Sequence, residues 1–583
     1  MSHLPEEVVE IIINRLTSNR DRNSASLINK LWYTVDRYSR RVVYVANCYA
    51  LSPERVVARF PMLRSLTLRG KPNISDSRLF PRDWGGSVDP WIEAMSKNCR
   101  SLEELRLKRM VVSDRSLELT SVSFPYFKSL ILSSCSGFTI TGLSAVASNC
   151  SMLEQLEVEK SDVTDNSGGE WLSNFPESLS SLVSLNISCI KGLVNPTDLV
   201  RLVARSPNLT NLTLNKTVTA DTIRRILLKA PQLMHLGVGS NIPHLEIQSY
   251  IQLSSSFHKC KSIQSITFFY LVPPMLLRAI SPICPNLVHV NMRYATGIQS
   301  SELINFIKKC PKLRRLWILD SIGDEGLEVV SYTCKNLEDL RVFHGRAEIG
   351  VTEVGLTAIS TGCQQLKSLT YFCKRMTNAT LVSFSKNCPK TTCFRLIIST
   401  PKQPDHTTQQ PLDDGLGAIV HSCKNLRKLS LSGLLLTDQV FLYIGMYAEK
   451  LEALSVSDAG ESDAGMHYLF NGCKNLRNVE MINCPFGFDF DDGDGVCSSL
   501  FEEYGSCMRS VWMSSCRTTL GGCKMIAQRI DSLNVEVINK EGDIREEEEE
   551  EEYPDDDMKV DNLYMYQALD GPRADSPSHV WTL

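Results

Sequence analysis

Leu63-Arg64-Ser65-Leu66-Thr67-Leu68 spells L-x-x-L-x-L, and that pattern returns at intervals of about 24 to 39 residues as far as Leu533-Asn534-Val535-Glu536-Val537. A leucine-rich repeat of this kind is one short strand plus one helix that cannot bury its apolar face alone, so the units must stack. The core segments run Leu102 to Leu107, Phe127 to Leu132, Leu153 to Val158, Leu182 to Ile187, Leu209 to Leu214 and Leu233 to Val238. They continue as Ile263 to Phe268, Leu287 to Met292, Leu313 to Ile318, Leu337 to Val342, Leu366 to Tyr371, Leu426 to Leu431, Leu451 to Val456, Leu476 to Met481 and Met508 to Met513, with a weaker copy near Phe394. The expectation is an α/β fold, a leucine-rich-repeat solenoid of roughly eighteen repeats of about 28 residues, curved into a horseshoe with its helices on the convex side.

Within each repeat the leucines point inward, so the residue between the last two apolar positions, and the one two before it, project from the concave face. That set includes Arg106, Arg341, Arg395, Lys428, Ser430, Ser455 and Glu480. A chain of 583 residues exceeds one hydrophobic core, which again favours a repeat array. The net charge of −4 gives no pointer to nucleic acid or membrane. No signal peptide or bilayer-length apolar run is read, so the expected compartment is cytosol or nucleus. Nine of the 20 cysteines (Cys99, Cys150, Cys260, Cys284, Cys310, Cys334, Cys363, Cys423 and Cys473) stand three residues before the first apolar position of a strand. One per repeat is the placement of a small buried packing residue, not of metal ligands, which cluster.

The N-terminus has a different period. Leu4-Pro5-Glu6-Glu7 opens a segment with Val8, Ile11, Ile12 and Leu16 at helical spacing. A polar turn Ser18 to Arg22 and a second helix Ser24 to Trp32 are expected to follow. The L-P-E-E start and L-W-Y end resemble an F-box, whose exposed apolar helices dock on a Skp-type adaptor linked to a cullin. Leu4, Pro5, Ile11, Leu27 and Trp32 are the adaptor-binding residues this implies. The domain reading is 1–45 F-box, 46–540 leucine-rich-repeat solenoid, and 541–583 acidic insert and C-terminal cap.

Further strings make the resemblance specific. Asn47-Cys-Tyr-Ala50, Trp84-Gly-Gly86, Pro90-Trp-Ile-Glu-Ala-Met95, Arg106-Leu-Lys-Arg-Met-Val-Val112, Leu429-Ser-Leu-Ser-Gly433, Cys484-Pro-Phe-Gly487 and Trp512-Met-Ser-Ser-Cys516 look like the plant transport-inhibitor-response and auxin-signalling F-box receptors. The resemblance implies a near-closed horseshoe, nuclear localisation, and a substrate receptor of an SCF-type ubiquitin ligase acting on Aux/IAA-type repressors through their degron. It also implies two ligands, inositol hexakisphosphate and auxin. The polyphosphate positions are Arg69, Lys108, Arg109, Arg341, Arg395, Lys428, Arg477 and Arg509, while Cys393 replaces one family arginine. The auxin and degron positions are Asn73, Ile74, Ser77, Phe372, Arg395, Leu396, Arg427, Ser430, Leu431, Ser455 and Glu480.

The pocket departs from the family. Asn73 replaces a histidine, Ile74 and Ser77 two phenylalanines, Thr370 a leucine, Ile397 a cysteine, and Ser457-Asp458 an Ala-Phe pair. The loop after Arg341-Val-Phe343 is shorter and lacks a phenylalanine. Each lost aromatic surface removes on the order of 1 kcal/mol of burial and stacking, so auxin is expected to bind weakly or not at all. Three roles stay open: an auxin-pathway substrate receptor, a receptor of the same ligase with a changed ligand or substrate, and a non-degradative scaffold. No enzyme motif is found, with neither G-x-x-x-x-G-K-[ST] nor H-E-x-x-H nor G-x-S-x-G in context, so ubiquitin transfer falls to a partner enzyme. The acidic run Arg545 to Asp557 reads as a disordered surface insertion before a cap at Gly571-Pro-Arg573 and Val580-Trp581.

Overall fold

The structure is a computed structural model of the chain. It describes residues 4–70, 86–165, 169–240, 247–345, 350–488, 507–530, 533–538, 562–568, 571, 573 and 575–583. These fall into two compact units, one within Met1–Ile74, Asp83–Leu233 and Pro572–Ser576, the other within Met234–Gly571 and Pro577–Leu583.

The first unit opens with three helices, α1 (Glu6–Arg15), α2 (Asn19–Ser26) and α3 (Lys30–Ser39). Sequence reading placed a polar turn and one helix where α2 and α3 lie. The reason is capping: the Ser18 side chain accepts from the Asp21 amide and the Asn29 side chain from the Trp32 amide, so two helices start where one was expected. Val9, Ile13 and Val35 form a small core with Leu31 and Trp32 packed on it. Leu4, Ile11, Leu27 and Ile28 remain exposed, Leu27 at 81%.

A single buried carboxylate ties this module to the repeats. Asp36 of α3 accepts from Arg22 at 2.7 Å, Arg40 at 3.0 Å and Arg59 at 2.8 Å. Arg59 ends the first repeat helix, Pro53–Arg59, and its guanidinium also lies 3.7 Å from the centre of the Tyr33 ring.

The strands of the first unit are β1 (Val42–Val45), β2 (Ser65–Arg69), β3 (Glu104–Lys108), β4 (Ser129–Ser133), β5 (Gln155–Glu159), β6 (Val163–Thr164), β7 (Ser184–Asn186), β8 (Ile190–Lys191) and β9 (Asn211–Thr213). β2, β3, β4, β5, β7 and β9 pair in parallel so that Leu66, Leu105, Leu130, Leu156, Leu185 and Leu212 form one column. β1 lacks the repeat pattern yet pairs with β2, burying Val43 and Val45.

The second unit holds β10 (His235–Ser240), β11 (Ser265–Leu271), β12 (His289–Thr296), β13 (Arg315–Leu319), β14 (Asp339–Phe343), β15 (Ser368–Cys373), β16 (Cys393–Ile398), β17 (Lys428–Ser432), β18 (Ala453–Ser457), β19 (Asn478–Ile482), β20 (Gly487–Phe488), β21 (Ser510–Ser514), β22 (Arg517–Thr518), β23 (Asn534–Ile538), β24 (Asn562–Tyr566) and β25 (Val580–Thr582). The weak copy near Phe394 is a full strand. Phe394 is buried in the leucine column and meets the Phe384 ring at 5.3 Å. β24 runs antiparallel to β23 and closes the ladder, followed by β25. The acidic run lies outside the described residues.

Two ladders stitch repeat to repeat. Asp324 accepts from the Thr352 amide and hydroxyl and from the Gly355 amide, so one repeat caps the next helix. The cysteines form the other: Cys334 Sγ donates to the Cys310 carbonyl at 3.6 Å, Cys363 to Cys334 at 3.5 Å and Cys388 to Cys363 at 3.8 Å. Burial pushes these three thiols up to about 12, as expected of packing residues.

Replacing Asp36 by Ala leaves Arg22, Arg40 and Arg59 facing one another without their carboxylate. Chemical denaturation should show a loss of about 3–5 kcal/mol; a loss under 1 kcal/mol would mean that water replaces the carboxylate at no cost.

Candidate functional site

In a strand alternate side chains face opposite ways, and parallel register turns that alternation into rows. On the helix-free face of the second unit Trp317, Arg341, Thr370, Arg395, Ser430, Ser455 and Glu480 stand side by side. The neighbouring row includes Phe343, Phe372, Ile397 and Ser432. Sequence reading selected most of the first row, and the structure brings those residues together.

Arg395 is the centre of this arrangement. It is half-buried, and its Nε is buried without a hydrogen-bond partner. Burial draws its guanidinium below the ordinary range; Glu480 and Cys393 oppose that shift while Arg293 and Arg341 add to it. Arg341 is already occupied, its Nε donating to Asp339 at 3.1 Å and its guanidinium 4.2 Å from the Trp317 ring centre. Beside them the Phe343 and Phe372 rings tilt together at 6.2 Å. A planar cation with an unfilled donor, two serine hydroxyls and two aromatic rings is suited to a carboxylate borne on an aromatic group.

Other expected pocket residues sit elsewhere. Leu396 and Leu431 are core residues, 0% and 1% exposed, because their strand positions face inward. Arg427 precedes β17 at the strand edge, paired with Glu452 at 3.2 Å. Thr370 is buried, and Ser457 shares a hydrogen bond with Ser432 at 2.5 Å. Asp458 has left-handed backbone (φ 57°) and accepts from Asn483 at 2.6 Å. Asn73, Ile74 and Ser77 lie outside the described residues.

Of the expected polyphosphate cations in this unit, Lys428 opens β17 and is exposed, while Arg477 and Arg509 stand exposed just before β19 and β21. The first unit carries its own cluster. Arg69 and Lys108 are register partners at the ends of β2 and β3, and Arg109 follows with a left-handed backbone (φ 55°). Burial, then Arg109, Arg69 and Lys160, draws the Lys108 ammonium below its usual range, against Glu159. Sequence reading missed Lys160 because it falls just past the repeat pattern, in the same left-handed position as Arg109. It also missed Arg293, on β12 just past the apolar pattern. Among the described residues no His, Cys, Asp or Glu cluster could hold a metal, and no helix is long and apolar enough to cross a membrane.

A capped helical module joined to leucine-rich repeats defines the F-box leucine-rich-repeat class, and comparison with known proteins narrows it. Residues 1–42 match the F-box and residues 61–107 the Transport inhibitor response 1 protein domain. The chain is 48% identical to a transport inhibitor response 1-like protein of Oryza sativa subsp. japonica, with 100% of both covered. It is 44% identical to GRR1-like protein 1 of Arabidopsis thaliana, covering 99% of this chain and 97% of that one. Coronatine-insensitive protein homolog 1b of rice is 30% identical, with 99% and 95% covered. The chain therefore belongs to the transport-inhibitor-response family of F-box leucine-rich-repeat proteins, the non-catalytic substrate-recognition subunits of SCF-type ubiquitin ligases.

Burial, reinforced by the neighbouring cations, disfavours the Lys108 ammonium and makes a prediction with a definite sign. A lysine whose ammonium is disfavoured in the folded state costs stability whenever it is protonated, and that cost falls only as pH rises toward its titration. Because the Lys108 side chain is exposed and solvent screens much of this cost, Lys108→Gln should raise the stability of the ligand-free protein by no more than about 0.5 kcal/mol while reducing the thermal shift produced by inositol hexakisphosphate. A variant that is less stable and shifts like the wild type would remove Lys108 from any anion site.

Proposed function

We propose that this chain is a ligand-assisted receptor that presents Aux/IAA-type repressors to an SCF ubiquitin ligase in the nucleus. The exposed Leu4, Ile11 and Leu27 of the helical module are the surface for a Skp-type adaptor, and a cullin follows through it. The reading of the pocket rests on one observation above all: the buried, unpartnered Nε of Arg395. A buried donor left unfilled costs free energy that a ligand carboxylate recovers, and on this reading substrate capture takes place on the same face. Ubiquitin chemistry takes place on the partner enzyme; this chain binds and positions.

Inositol hexakisphosphate is the second ligand in this proposal. The residues present fit a polyphosphate, since Arg69, Arg109 and Lys160 stand near enough to Lys108 in the first unit to act on it as like charges. The second unit carries a separate set of expected cations, Arg341, Arg395, Lys428, Arg477 and Arg509. Guanidinium forks suit phosphate oxygens, and several are needed because each exposed pair contributes little.

A second reading, the same ligase with a changed ligand, is favoured by the replaced wall. Thr370 is buried and Asp458 is bound to Asn483, so neither offers the apolar surface of an aromatic. On this reading a plain indole acid is held weakly.

The adaptor step is tested by Leu4→Ala, Pro5→Ala. Co-purification with a Skp-type adaptor should fall about tenfold or more with loss of hot-spot contacts, while the far-ultraviolet spectrum of the repeats is retained. Undiminished co-purification would refute the assignment of this surface.

A further inference from the structure

Arg293 lies on β12 two residues beyond Asn291, which is in register with Trp317. Its guanidinium is 4.4 Å from the Phe343 ring centre and 5.2 Å from that of Tyr294. Among the described residues it has no carboxylate partner. The other arginines of this face differ: Arg341 donates to Asp339, and Arg395 feels the opposing charge of Glu480.

The aromatic pair links the two unfilled cations. Phe343, under Arg293, tilts against Phe372, and Phe372 lies on β15, whose neighbour β16 carries Arg395. Arg293 also acts on Arg395 as a like charge. A ligand with one carboxylate on Arg395 would leave Arg293 uncompensated beside the aromatic rings. A second carboxylate removes that repulsion and gains a charge-assisted hydrogen bond. A guanidinium resting against an aromatic ring also keeps its N–H donors free for such a carboxylate.

We propose that the site beside Phe343 and Phe372 takes an aromatic dicarboxylate, with one carboxylate on Arg395 and the other on Arg293. This rests on the reading of Arg395 as a ligand anchor and makes Arg293 the residue that selects between monoanionic and dianionic ligands.

The test is calorimetric binding to the full-length chain in complex with its Skp-type adaptor. The probes are indole-3-acetate, with one carboxylate, and 3-carboxymethylindole-2-carboxylate, with the same ring and two. The dicarboxylate should bind about tenfold tighter or more, the equivalent of one charge-assisted hydrogen bond. Arg293→Gln should bring it down to the level of the monocarboxylate, and Arg293→Lys, which keeps the charge without the fork, should retain part of the advantage. Arg395→Gln should weaken both acids. Because the Arg293 side chain is exposed, the melting temperature of its variants serves as the folding control. Equal binding of the two acids, or an advantage that survives Arg293→Gln, overturns the inference and leaves the Arg395 anchor standing. Binding of neither acid overturns both.

Discussion

In-register stacking of the leucine columns is the constraint on which the rest depends. Each inward leucine in the column from Leu66 to Leu212, and in the corresponding column of the second unit, is almost completely buried. Burial of one such side chain contributes about 1.5–3 kcal/mol, and a slip of one residue would turn the whole set to solvent. Register is therefore strongly fixed. Once it is fixed, the outward residues fall into rows without further specification, and a row is what places Arg341, Thr370, Arg395, Ser430, Ser455 and Glu480 side by side although they span over a hundred positions of sequence.

The turns serve that register. Buried cysteines fill the step between helix and strand, and the thiols of Cys334, Cys363 and Cys388 each donate to a carbonyl of the repeat before. Buried or half-buried acids such as Asp114, Asp324 and Asp413 accept from the residues that start the next helix. Gly472 shows how tight the fit is: a Cβ there would meet the Gly445 carbonyl oxygen at 1.9 Å. At the N-terminus Asp36 does by charge what the leucines do by area, gathering three arginines from the helical module and the first repeat.

Much of this was legible in the residues. The L-x-x-L-x-L segments fall on strands because their periodicity is a direct image of burial. The helical module was legible as a module but not in its parts, since the caps at Ser18 and Asn29 outweigh an apolar pattern that runs across the break. Arg395 could be chosen from its outward position and its resemblance to a family site. Leu396 and Leu431 could not hold the role given them, because the same alternation that exposes Arg395 buries its neighbours. Lys160 and Arg293 escaped notice because they lie beyond the repeat pattern, where the direction of a side chain depends on a left-handed residue or on the length of β12.

The face around Arg395 is thus a product of ordinary repeat packing with the unfilled Nε of Arg395 left inside it. Its proposed role as the place where ligand and substrate meet is tested most directly by measuring capture of an Aux/IAA degron peptide by the purified adaptor complex with the acid ligand present, wild type against Arg395→Gln. The account predicts capture by the wild type and its loss, by about tenfold or more, in the variant with an unchanged melting temperature. Equal capture by both would contradict it.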